Sequence, residues 1–259
     1  MLDIDDKTRL FAFDLDGTLY LGEKAMPGAV ELIDYLRETY RIAFFTNNSS
    51  KTGKEVQGKL QRLGFKCNLD EVYTSSSATI KYLIKENLDN VYLIGSESFR
   101  SELTEKGLRT AYDDSADNLV VGFDYDFNYK KISIALSILL RGGRFIACNE
   151  DSFFPVGQNK YMPGCGAMVG AITASANKRP DFIAGKPNTY MLSMISKAYN
   201  VGHDEIIVVG DSYDSDITMA LNFNCKAILI SDNFNAPHRG NLNSVNNIKE
   251  ILHHIKERK

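Results

Sequence analysis

Residues 10–20 read LFAFDLDGTLY. An apolar run over 10–13, closed by a turn containing Gly17, predicts a buried strand that delivers its last side chains to the C-terminal edge of a sheet. Ligands of open α/β sheets bind at that edge. Asp14 and Asp16 stand two residues apart, so both enter one crevice while Leu15 points the other way. Carboxylates this close repel each other and resist joint ionisation unless a cation or a shared proton relieves them. The stretch therefore points to a divalent metal, with one aspartate free to attack.

Outward from this tract, strands and helices alternate, which predicts a mostly parallel α/β sheet with helices on its faces. A helix is expected over 27–40, a strand over 41–45, and a second helix over 51–63 that stops at Gly64. Further strands are expected over 205–209 and 226–230. The middle third repeats the alternation, with strands over 91–94, 119–121 and 144–147 and helices over 97–106 and 129–140. Such a complete set predicts a smaller α/β domain of residues 80–179 inserted into a core of residues 1–79 and 180–259. Residues 231–247, rich in Asn, read as an irregular connection before a last helix over 248–259.

Composition excludes several classes. The 259 residues are 44% hydrophobic and 24% charged, with a formal net charge of −3. That balance is ordinary for a globular protein and gives no electrostatic reason to expect nucleic acid or an anionic membrane as partner. The opening MLDIDDKTRL lacks the basic and apolar regions of a signal peptide, and no apolar run approaches a bilayer's width. Cys67, Cys148, Cys165 and Cys225 are scattered without a C-x-x-C pair, which suits a reducing cytoplasm and argues against a cysteine zinc site.

Four sites carry the chemistry. Asp14 and Asp16 are the first. Thr46, beside the backbone amides of Asn47 and Asn48, is the second: a hydroxyl and two amides leading into a helix make a cradle for phosphate oxygens. Lys186, in Gly185-Lys186-Pro187, is a point charge on a loop. Residues 210–216 read GDSYDSD, a second carboxylate cluster at a strand end.

In this order the four sites resemble the haloacid-dehalogenase (HAD)-like phosphohydrolases. That family carries an Asp-x-Asp-Gly-Thr box, a Thr or Ser after the second core strand, a Lys, and an acidic Gly-Asp box. The insertion between the second and third sites resembles the NagD-like and para-nitrophenyl-phosphatase-like branch, as do the strings PGAVELIDYL, FFTNNSSKT and NEDSFFPVGQNKYMPGCGAM. The resemblance implies a doubly wound, Rossmann-like core and a cap formed by the insertion. It implies a Mg²⁺-dependent phosphomonoesterase acting on a small phosphorylated metabolite such as a sugar phosphate. Asp14 would be the nucleophile, and Asp16 would protonate the leaving alcohol and then deprotonate water. Mg²⁺ would be held by Asp14, the Asp16 carbonyl and Asp211, with Asp216 ligating it or orienting its water and Asp214 assisting. Thr46, the Asn47 amide and Lys186 would hold the phosphoryl group. The chain departs from the branch at Ser212, where Arg or Asn is frequent, and at Ser231-Asp232-Asn233, where Thr-Gly is common.

Within the insertion, residues 149–154 combine polar groups and aromatics. Asn149, Asp151 and Phe153 are the candidates for contacting the leaving group, set against an ordinary loop with two core phenylalanines. Gly164, Gly166 and Gly170 have the wrong spacing for a dinucleotide fingerprint, no strand is expected to lead into them, and close helix packing is the better reading. His203, His238, His253 and His254 lie away from every strand end named above. Two other classes stay open. One is a phosphotransferase or mutase; the other is a non-enzymatic phospho-acceptor resembling a receiver domain. The resemblance also leaves open a homodimer paired through the cap.

Overall fold

The computed structural model describes residues 2, 4–157, 160–231 and 241–257. The chain divides into two compact units. Met1–Thr46, Lys54–Tyr73 and Lys186–Lys259 form the first, and Asn47–Gly53 with Thr74–Gly185 form the second.

The first unit is built on a six-stranded sheet in the order Leu242–Val245, Lys226–Ile230, Ile206–Gly210, Leu10–Asp14, Arg41–Thr46, Val72–Thr74. Its central strands, LFAFD, RIAFFT and IIVVG, are nearly continuous apolar runs, as a parallel sheet covered on both faces requires. Parallel pairing sets Asp14 opposite Phe45 and Phe13 opposite Val209. Asp14, Thr46 and Gly210 therefore emerge at one edge, although roughly thirty to two hundred residues of chain separate them. The helix Ala29–Leu36 buries Ala29, Leu32, Ile33 and Leu36, a spacing of three and four that turns one face to the core. It ends before Tyr40, because residues 37–40 tighten into turns that carry the chain back into Arg41.

One expectation for the C-terminal region is overturned. Leu242–Val245 is a strand, paired parallel to Lys226–Ile230 with Ala227 opposite Leu242 and Ile230 opposite Val245. Its sequence, LNSV, has no apolar run. Only Leu242 and Val245 are buried, and the strand exists because an open sheet edge offers its backbone partners. Asp232, Asn233 and His238 lie outside the described residues. The last helix is Ile248–Lys256, with Ile248, Ile251 and Ile255 on its buried side.

The second unit has its own five-stranded sheet, ordered Phe182–Ile183, Arg144–Ala147, Asn118–Val121, Asn90–Ile94, Arg109–Ala111, with every neighbouring pair parallel. Ile94, Leu119, Val121, Ala135, Ile138, Phe145 and Ile172 belong to its core. A separate antiparallel hairpin, Phe153–Gly157 with Lys160–Pro163, leads straight into the helix Cys165–Ala176. A strand therefore does precede the glycine cluster, contrary to the reading of the sequence, but Gly164 and Gly166 serve close packing, whereas a Cβ at Gly170 would meet nothing within 4 Å. A Cβ at Gly164 would lie 2.1 Å from the Asp151 carbonyl oxygen, and one at Gly166 would lie 2.5 Å from that of Glu150. The four cysteines are free and buried, and burial raises the Cys165 thiol far above its ordinary range, so it is a packing residue. Among the described residues no helix is long and apolar enough to cross a membrane.

Candidate active site

At the sheet edge of the first unit, Lys186 joins the Asp-x-Asp tract to the second acidic cluster. Its Nζ donates to Asp14 Oδ1 at 2.6 Å and to Asp216 Oδ1 at 2.7 Å. All three side chains are buried, with Lys186 only 6% and Asp216 0% exposed. Burial opposes the lysine's charge, but Asp14 and Asp216 outweigh it and hold the ammonium's pKa above its ordinary value. Asp216 is pushed upward by burial, with Lys186 pulling the other way and Asp14 adding repulsion. The Ser212 amide donates to the second oxygen of Asp216 at 3.1 Å, and the Ser212 hydroxyl accepts from the Ser215 amide. Ser212 thus shapes the turn that aims Asp216.

Asp211 completes an acidic group. Carboxylate oxygens of Asp14, Asp211 and Asp216 lie within 4.8 Å of one another. The crowding of the site, followed by the charge of Asp14, raises Asp211. Thr18 donates to Asp211 Oδ1 at 3.1 Å, a contact the sequence reading missed although Thr18 belongs to the quoted tract. Gly17, at φ +93°, passes so close that a Cβ there would meet Asp211 Oδ2 at 2.2 Å. The glycine of the tract is therefore required both for its backbone conformation and for its lack of bulk. Three converging carboxylates, of which Asp211 and Asp216 have raised proton affinity, and one neighbouring ammonium fit a hard divalent cation bound through oxygen. Asp214 is exposed and stands outside this group.

The Asp16 side chain is exposed and is not one of the three clustered carboxylates. Its Oδ2 accepts from the Tyr20 hydroxyl at 3.1 Å. Protein crowding and then the charge of Asp14 raise its pKa, while Lys59, Tyr20 and Lys186 oppose the shift. Tyr20 and Lys59 had no signal as site residues in the sequence. Thr46 is buried at the end of its strand, one residue beyond the position opposite Asp14.

Asn47 belongs to the second unit, where it is held from several sides. Its carbonyl accepts from Ser75 Oγ and from Asn149 Nδ2, each at 2.7 Å, and its own amide Nδ2 donates to Asp151 Oδ1 at 2.8 Å. The Asp151 backbone amide in turn donates to Asn149 Oδ1 at 3.1 Å. Asn149 and Asp151, expected to face a leaving group, thus spend these groups on holding Asn47. Phe153 is 62% exposed, its ring edge-to-face with Tyr161 at 5.2 Å. Phe154 packs against Phe123, so only one of the two phenylalanines is a packing residue.

A family model described as haloacid dehalogenase-like hydrolase matches residues 11–109, and a HAD-hydrolase-like model matches 183–257. The acid sugar phosphatase of Staphylococcus haemolyticus is 35% identical over 215 residues, spanning 82% of this chain and 81% of its own. The chloroplastic phosphoglycolate phosphatase 1A of Arabidopsis thaliana is 32% identical over 250 residues, 87% of this chain and 69% of its own. Among solved structures, the p-nitrophenyl phosphatase of Archaeoglobus fulgidus superposes with a TM-score of 0.87 at 25% identity, covering 95% of this chain and 99% of that one. The 4-nitrophenylphosphatase of Thermotoga maritima gives 0.86 at 30% identity, covering 95% and 97%. With its four motif regions in place and relatives of this closeness along most of its length, the chain belongs to the haloacid dehalogenase-like hydrolases, in the branch of the NagD-like and p-nitrophenyl phosphatases, and is an enzyme of the phosphatase class.

Proposed function

We propose that this phosphatase hydrolyses a small sugar phosphate or similar metabolite through an aspartyl phosphate on Asp14, with Mg²⁺ as its metal. The observation that carries the reading is the convergence of Asp14, Lys186, Asp211 and Asp216 at one sheet edge. A phosphate dianion nearing those carboxylates meets repulsion that Lys186 alone does not offset. Asp14, Asp211 and Asp216, with the Asp16 carbonyl, would hold Mg²⁺, which supplies the remaining positive charge beside the phosphoryl oxygens. The Thr46 hydroxyl, the Asn47 amide and Lys186 hold those oxygens for in-line attack.

The Asp14 carboxylate oxygen bonds to phosphorus as the bond to the leaving oxygen breaks, and Asp16 gives that oxygen its proton. Water then attacks the phosphorus, its proton passes to Asp16, and the Asp14–phosphorus bond breaks to release inorganic phosphate. A carboxyl with raised proton affinity, as at Asp16, suits both transfers. The second unit acts as the cap, and Phe153 is its candidate for meeting the leaving group. The sugar phosphate class rests on the named activity of the staphylococcal relatives. Phosphate release from a panel of sugar phosphates and para-nitrophenyl phosphate, with and without Mg²⁺, tests the proposal. Asp14→Asn should lower turnover at least about 10³-fold while the protein stays folded. Retained turnover in that variant would remove Asp14 as nucleophile.

A further inference from the structure

Beside Asp16, the short hairpin Tyr20–Leu21 with Lys24–Ala25 places an aromatic hydroxyl where the tract turns. The Gly17 amide donates to the Tyr20 carbonyl at 2.8 Å, and the Tyr20 amide donates to the Leu15 carbonyl at 3.2 Å. Backbone bonds on both sides of Asp16 thus fix Tyr20 against it. The Tyr20 hydroxyl donates to Asp16 Oδ2 at 3.1 Å, and its ring is buried. Above that ring, Lys59 of the helix Gly53–Arg62 sets its ammonium 3.8 Å from the centroid and 3.8 Å from Glu23 of the hairpin. A cation on the ring face draws on its π density and makes the phenol a stronger donor. Burial, followed by the charge of Asp16, keeps the phenol protonated far above its ordinary range, so it remains a donor.

We propose that Tyr20, backed by Lys59, is a positioning residue for the proton-transferring carboxyl of Asp16. The inference rests on the acid and base role proposed for Asp16. With Oδ2 engaged as an acceptor, the acid proton resides on Oδ1, the oxygen left to serve the leaving group. The same bond survives when Asp16 is ionised, so the carboxylate that receives the water's proton keeps the orientation of the acid that gave one. Tyr20 neither takes nor gives a proton in either step.

The chemistry separates this role from a structural one. A nitrophenolate leaves without help from an acid, whereas the hydrolysis of the aspartyl phosphate needs Asp16 as base whatever the leaving group was. Tyr20→Phe keeps the ring and removes only the hydroxyl. In stopped-flow assays with Mg²⁺ and para-nitrophenyl phosphate, the variant should form nitrophenolate in its first turnover within about twofold of the parent rate. Its steady-state rate should fall roughly tenfold, the size expected for one hydrogen bond to a charged group. Acid-quenched phosphoenzyme should rise accordingly. With an alkyl phosphate, the first turnover should slow as well. Lys59→Met should move the same quantities in the same direction by a smaller factor. First-turnover amplitude counts competent sites, so partial misfolding lowers the amplitude and leaves these rate constants unchanged. An unchanged steady-state rate, or equal losses in the first turnover and the steady state on para-nitrophenyl phosphate, overturns the proposal. Retained turnover in Asp14→Asn instead removes Asp14 as nucleophile, and this proposal with it.

Discussion

Lys186 concentrates the electrostatics of the site into one side chain. Replacing it with methionine leaves Asp14 and Asp216 buried without their cation. Activity should fall about 10²–10³-fold, as for the loss of one preorganised charge. Stability should fall too, by up to ~3–5 kcal/mol where both carboxylates stay ionised. The sign with pH is definite. Asp216 already has a raised pKa, so the folded state holds its proton more tightly than the unfolded chain does. Its contribution is present at low pH and is lost as pH rises from the ordinary carboxylate value of 3.8 through the raised one. Urea unfolding of Lys186→Met should therefore show a larger deficit at about pH 8 than at about pH 5. An equal deficit at both would mean that Lys186 contributes packing rather than charge. At Gly17 the test is steric: Gly17→Ala drives a methyl into Asp211 and asks for a left-handed backbone at the same time. That variant should bind Mg²⁺ more weakly, measurable by titration calorimetry without any substrate.

At the scale of elements, the continuous apolar strands were legible because burial on both faces needs no partner to be recognised. Lys226–Ile230, Arg144–Ala147 and the helix Tyr129–Leu140 fall on the residues their patterns predicted. Leu242–Val245 was not legible, since its four residues have no strand pattern and acquire one from the neighbouring edge. The hairpin before Gly164 was missed for a related reason: its second strand, KYMP, is exposed throughout, so no apolar face marks it. That junction carries its own prediction. Gly164→Ala places a carbon against the Asp151 carbonyl, on the loop that holds Asn47. Overpacking of this kind costs ~1–3 kcal/mol. Thermal unfolding should report the loss, and KM for phosphate esters should rise because Asn47 loses its support.

For the whole molecule, the proposed metal and the proton would compete for the same carboxylates. Asp211 is raised to about 6 and Asp216 is raised as well, so the metal-free protein should lose stability as pH climbs above the ordinary carboxylate range toward and past 6. Mg²⁺, the metal proposed above, would bind the ionised forms, and at about 100-fold excess over Kd a ligand adds ~2.7 kcal/mol. The thermal shift produced by Mg²⁺ should therefore be small near pH 5 and grow toward pH 8. A shift independent of pH would place the ion away from these carboxylates.

The alternation of the apolar core strands with helices, the class of fold and the residues of the four motifs were determined by the sequence itself. Apolar periodicity and turn chemistry are local properties, and a motif such as DLDGT carries its turn within five residues. Convergence is not local. That Asp211 and Asp216 meet Asp14 follows from the register of Phe13 with Val209, across some two hundred residues. The same tertiary geometry decided that Asp16 turns to Tyr20 and that Asn149 and Asp151 are engaged with Asn47. Residue type reveals which donors and acceptors a side chain has. Only the packed chain determines which of them are already satisfied.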